Sequence, residues 1–172
     1  MNEAAIRQCR WREPRGLDAA LRIGAFLEGI GIEVEAGPAG ESVLPGMTVL
    51  RGRVRVDPEA SNYPGDLLHE SGHVAVSDPA TRHAIETIAA DPGDEMAAIA
   101  WSVAAAHACG VALEILFFDD GYKGAAAAFR ENFAAQRFLG VPMLAWFGMT
   151  AEPHRAEETG VAAFPEMTRW LR

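Results

Sequence analysis

Hydrophobic positions follow helical spacing from Leu17 to about Glu28, where Ala20, Leu21, Ile23, Phe26 and Leu27 share a face that Ile30 continues. Gly29 and Gly31 end that helix. Ile32-Glu33-Val34-Glu35-Ala36 then alternates apolar and polar residues, as a half-buried strand does. Gly37, Pro38 and Gly40 mark a turn. Val43 to Pro58 reads as one or two further strands, with Met47–Leu50 and Val54–Val56 on either side of Arg51-Gly52-Arg53. A loop through Asn62-Tyr63-Pro64 leads to Gly65 or Asp66, expected to cap the next helix.

Around that next helix the pattern changes. Leu67, Leu68, Val74, Ala75 and Val76, turned at 100° per residue, cover nearly its whole circumference. A helix apolar all round is a buried one. It should stop near Ser77-Asp78-Pro79, and a short helix is expected over Thr81 to Ala89. Asp91-Pro92 restarts the chain as an N-cap followed by proline at the first helical position. Met96 to Leu113 carries only Ser102 and His107 as polar side chains, but it is mostly alanine and acids flank it on both sides. It reads as a buried helix broken by Gly110, not as a membrane span. Val111 to Phe118 adds a further turn or two, Ala125 to Leu139 an amphipathic helix, and Val141 to Phe147 a short apolar one. Residues 1–15 are expected to pack loosely and 150–163 to be mobile, with a last helix from Phe164 to Leu171 docking Trp170 on the core. The expected fold is one α+β domain over 1–172, mainly helical, with a small N-terminal sheet of two or three strands packed on the helix of residues 67–76.

Composition narrows the function. With 172 residues, 49% of them apolar, the chain can build a full core. A net charge of −9 argues against general nucleic-acid binding. Arg7, Arg10, Arg12 and Arg15 are a local exception, interrupted by Glu3 and Glu13. Cys9 and Cys109 are too few and too far apart for a disulfide framework. The N-terminus lacks the apolar stretch of a secretory signal, so a cytoplasmic setting is expected.

The candidate chemistry lies in the buried helix. His69-Glu70-Ser71-Gly72-His73 is an H-E-x-x-H motif. Residues four apart lie on one helix face, so both imidazoles can reach one zinc ion. Glu70 then sits beside them, placed to act as a general base. Random order of five histidines and sixteen glutamates would give the pattern about once in a hundred such chains. The plain alternative is a pair of buried histidines held by hydrogen bonds, but burying them with a carboxylate is costly unless something binds them. Gly72 would let a neighbouring backbone approach.

A third ligand must come from further along, because Val76 and Pro79 stand where the extended H-E-x-x-H-x-x-G-x-x-H pattern needs Gly and His. Glu95 is preferred. Its helix face carries Ala98, Ile99, Ser102 and Ala106, small enough for close approach. The competing reading is a first-turn acid that favours the helix dipole, as Asp94 also would. Asp94 and Glu86 are runners-up, and His83 and His107 are weaker. Together, His69–His73 and Glu95-Met96-Ala97-Ala98-Ile99-Ala100 resemble the gluzincin metallopeptidases, in the style of minimal bacterial members such as those that cleave phage-type repressors. The resemblance spans roughly residues 54–108 and lacks the glutamate signature of the thermolysin-like enzymes. It implies a zincin-like domain with Zn²⁺ on His69, His73 and Glu95, Glu70 as base and a peptide or protein substrate. A second electrophile usually helps the developing oxyanion. Tyr63, Tyr122 and His154 are candidates, Tyr122 foremost, although an exposed loop tyrosine is its plainer reading. Asp66, Asp78 and Asp91 could orient the histidines. The alternative of another class is a non-catalytic metal-binding regulatory or interaction module, against which stands the retained Glu70.

Overall fold

Alternation in the N-terminal third resolves into a small sheet. In the computed structural model, which describes residues 1–12, 15–40, 45–88 and 91–172, β2 (Val34–Ala36), β3 (Met47–Leu50) and β4 (Arg53–Val56) form three strands in the order β2-β4-β3. β4 pairs parallel with β2 and antiparallel with β3. Met47, Val49, Val54 and Val56 are buried on one face. The other face carries Arg53 and Arg55, paired with Glu33 and Glu35. The expected start of the strand region at Val43 lies outside the described residues.

Helices carry most of the rest: α1 (Asn2–Ile6), α2 (Gly16–Ile30), α3 (Pro64–Val76), α4 (Pro92–Ala108), α5 (Leu113–Leu116), α6 (Ala126–Ala134), α7 (Val141–Trp146) and α8 (Ala156–Thr159). The fold is therefore α+β. α3 is the middle layer, with the sheet strands β3 and β4 and helix α2 packed around it and α4 along it. Every residue of α3 except Asp66 is buried. Tyr63 stands at its N-cap position with Pro64 at N1, and no side chain caps it. The expected cap at Gly65 or Asp66 is thus corrected: the proline needs no partner for a missing N–H, and Asp66 is free to point elsewhere. α4 begins as the sequence predicts, with the Asp91 carboxylate accepting from the Gly93 and Asp94 N–H groups. No helix of the described residues is long and apolar enough to cross a membrane.

Four expectations fail. Residues 1–12 are not loosely packed: Asn2 is buried, donates to the carbonyls of Gly24 and Ile32 and accepts from the Val34 N–H, pinning α1 across α2 and β2. β1 (Arg10–Trp11) then pairs parallel with β5 (Ser61–Asn62). The segment after Pro79 forms only a 3-10 turn, Arg82–Ala84, and its expected end at Ala89 lies outside the described residues. The amphipathic helix stops at Ala134. Phe164–Leu171 is not helical, because its backbone groups bond to a neighbouring segment instead: the Phe164 N–H donates to the Ala151 carbonyl and the Thr168 N–H to the Met149 carbonyl. Trp170 still docks, its carbonyl accepting from Trp101 Nε1 at 2.9 Å and its ring edge-on to Phe26. Beyond it, the Arg172 N–H donates to the Ala75 carbonyl and ties the last residues to the end of α3.

Candidate metal centre

α3 and α4 bring three donor side chains together. His69 and His73, one turn apart, put their Nε2 atoms 3.2 Å from each other. Glu95, in the first turn of α4, places Oε1 3.5 Å from His69 Nε2 and Oε2 3.1 Å from His73 Nε2. The three form a cluster that could hold a metal ion, with ligand atoms all within 4.8 Å. A tetrahedral ion with bonds of 2.0–2.1 Å needs neighbouring donors about 3.4 Å apart. The two Nε2 atoms are spaced close to that, and each has a Glu95 oxygen at a similar distance, so the donor set fits zinc with small adjustment of the carboxylate.

Hydrogen bonding alone serves this triangle poorly. A proton on His73 Nε2 can point well at His69 or at Glu95, not at both. Burial disfavours the imidazolium of His69 and holds its pKa well below the ordinary value, helped by the adjacent His73 and opposed by Glu95. A neutral imidazole is the form a metal takes. Glu95 is held below the usual carboxylate range, first by its hydrogen bond with His73, against the effect of partial burial. Its side chain is 46% exposed while those of both histidines are below 10%, so the centre opens to solvent past Glu95. His69 Nδ1 is buried without a partner. The second partner that histidine ligands usually have is absent for it among the described residues.

Glu70 is buried next to the pair. Burial pushes its pKa up to about 7, His73 opposing and Asp66 and Glu95 adding to the rise. Asp66, one turn before Glu70, is likewise pushed up to about 7 by burial. Asp66 is close enough to Glu70 for their charges to repel, which sets it beside the general-base candidate.

Tyr122 is not an exposed loop tyrosine. Its ring stands edge-on to His69 with centroids 5.5 Å apart and packs against Phe117 and Phe129. Its hydroxyl is buried without a partner. Burial, then the charges of Asp66, Glu95 and Glu70, hold its pKa well above the ordinary phenol value, so it stays a proton donor.

The other candidates lie elsewhere. Tyr63 stacks on Phe118 at 3.7 Å and accepts from Arg12. His154 is exposed and lines a surface cavity with Gln136 and Phe138. Glu86 pairs with Arg51, His83 and His107 are exposed, and Asp94 is outside the donor cluster. Asp91 caps α4, and Asp78 accepts from the Ala80 N–H. One residue near the centre was missed: Lys123, whose charge helps hold Glu95 down. The available signal was that Lys123 is the only lysine among the 15 Lys and Arg residues of the chain. Compared with known proteins, the chain matches no family model, no curated protein and no solved structure.

Proposed function

We propose that the protein is a zinc-dependent hydrolase of zincin-like fold, cleaving peptide bonds in the cytoplasm, with His69, His73 and Glu95 holding the ion. The observation that carries this reading is the convergence of His69, His73 and Glu95, whose ligand atoms lie within 4.8 Å of one another, beside a buried carboxyl group, that of Glu70, not needed to hold a metal. Zinc bound there would supply a Lewis acid and bring a water toward a pKa of about 7.

The chain's own residues divide the remaining work. Glu70 accepts the proton of an attacking water and returns it to the leaving amine, for which a pKa near neutrality suits it. A dication alongside pulls that pKa down, and the repulsion from Asp66 acts in the opposite direction. Tyr122 offers an unpartnered phenol proton to the carbonyl oxygen as negative charge develops there.

The test is peptidase activity of zinc-loaded wild type and Glu70→Gln on a casein digest read by mass spectrometry. The proposal expects cleavage by the wild type and a fall of about 10²–10⁴-fold in the variant, with zinc still bound. Zinc bound equally by both proteins without cleavage by either would leave a metal-binding regulatory or interaction module.

A further inference from the structure

Tyr122 and Lys123 are consecutive non-glycine residues with left-handed backbone, φ 54° and 53°. Such a backbone is strained and persists only where its surroundings hold it. What holds this turn is visible. Phe117, Phe129 and His69 grip the Tyr122 ring, and the ring of Phe118 lies close under Gly121. The consequence of the turn is that Tyr122 faces inward against His69 while the next side chain, Lys123, is exposed. The Tyr122 ring meets His69, so the exposed Lys123 next to it in the chain borders the centre at its solvent-facing edge.

Among the described residues, Lys123 has no carboxylate oxygen within ion-pair distance. Elsewhere the chain uses arginine for its cations, and among the described residues eight arginines, from Arg7 and Arg10 to Arg155, are ion-paired. A flexible, strongly hydrated ammonium differs from a guanidinium fork: it binds as a point charge and releases readily. That suits a transient partner better than a structural one.

We propose that Lys123 is the substrate-recognition residue of this centre and selects peptides bearing a carboxylate beside the scissile bond. The inference rests on the hydrolase reading for its location. The carboxylate comes either from the free end of a peptide or from an acidic side chain, and both present the same chemistry to the ammonium.

Because the chain has one lysine, protein grown with [13Cε]lysine gives one side-chain resonance. Zinc-loaded protein is titrated at millimolar concentration with three N-acetylated pentaalanine peptides: a free acid, its C-terminal amide, and an amide with glutamate in the fourth position. The expected result is a saturable shift with one or both carboxylate peptides and none with the plain amide; which peptide acts identifies the source. In parallel, the preference of the hydrolase for carboxylate over amide peptides, as a ratio of kcat/KM, should fall at least tenfold in Lys123→Met and be largely restored in Lys123→Arg. No shift with any peptide, or an equal shift with all three, overturns the proposal. So does cleavage with no carboxylate preference, which leaves the hydrolase reading standing. A shift specific to carboxylate without any cleavage has the opposite meaning: Lys123 binds as proposed and the hydrolase reading fails.

Discussion

Gly72 of α3 faces the backbone of Ala98 in α4 so closely that a β-carbon on residue 72 would sit 2.6 Å from the Ala98 carbonyl oxygen and 3.1 Å from its Cα. Backbone cannot step aside as a flexible side chain can. Ser102 closes the same contact, its hydroxyl donating to the carbonyls of Leu68 and Ala98. This approach brings the first turn of α4, and with it Glu95, within reach of the two imidazoles. Packing and chemistry are therefore one feature of the fold.

Gly72→Ala should then do two things at once. Overpacking of this kind costs about 1–3 kcal/mol or somewhat more, and the helices must move apart to relieve it. Urea unfolding of the metal-free protein should show the lost stability. Zinc titration should show weakened affinity, although no ligand has been changed. Unaltered affinity alongside lost stability would separate the two roles.

Ion binding should appear as stability. Zinc at about 100 times its dissociation constant adds about 2.7 kcal/mol, which for a chain of 172 residues raises Tm by about 5–10 °C. A chelator should reverse the rise, and His69→Ala or His73→Ala should abolish it. Glu70→Gln should keep it. The measurement is differential scanning calorimetry with and without zinc.

Much of this arrangement is legible in the sequence. The all-round apolar surface of residues 67–76 marked α3 as central, and the small face of Ala98 and Ser102 pointed to its partner. The His69–His73 spacing and the first-turn position of Glu95 point to the donors that α3 and α4 bring together. What escaped has a common cause. Asn2 is a polar residue near the chain start whose importance lies in contacts with residues 24, 32 and 34, and no local pattern encodes them. Phe164–Leu171 has apolar residues in plausible places, yet its hydrogen bonds go to residues 149–151. Tyr122 sits in a glycine-flanked loop that looks exposed, and only the aromatic packing of Phe117 and Phe129 turns it inward.

Asp66 should make the metal-free protein sensitive to alkali. Its folded pKa, about 7, lies above the ordinary 3.8. The folded state therefore holds a proton that the unfolded chain has lost. That contribution is fully present below about pH 4 and is lost as pH rises through 7. Asp66→Asn removes the penalty of a buried charge, so it should stabilise the chelated protein at pH 8 by on the order of 2–4 kcal/mol and leave a flatter profile between pH 4 and 8. Urea midpoints of both proteins across that range provide the check.

Tyr122→Phe should separate binding from chemistry. The ring packing survives, and so should zinc affinity, while the phenol donor is lost. A fall in kcat of about 10²-fold or more with little change in KM is expected. An equal loss in zinc affinity would mean that Tyr122 only supports His69.

The most direct test of the central claim is metal analysis of the purified protein by inductively coupled plasma mass spectrometry, paired with calorimetric zinc titration after chelation. The account predicts one zinc per chain, restored by titration, and none in a variant carrying both His69→Ala and His73→Ala. Protein that emerges free of metal and takes up no zinc at stoichiometric concentration, while folded, would contradict it.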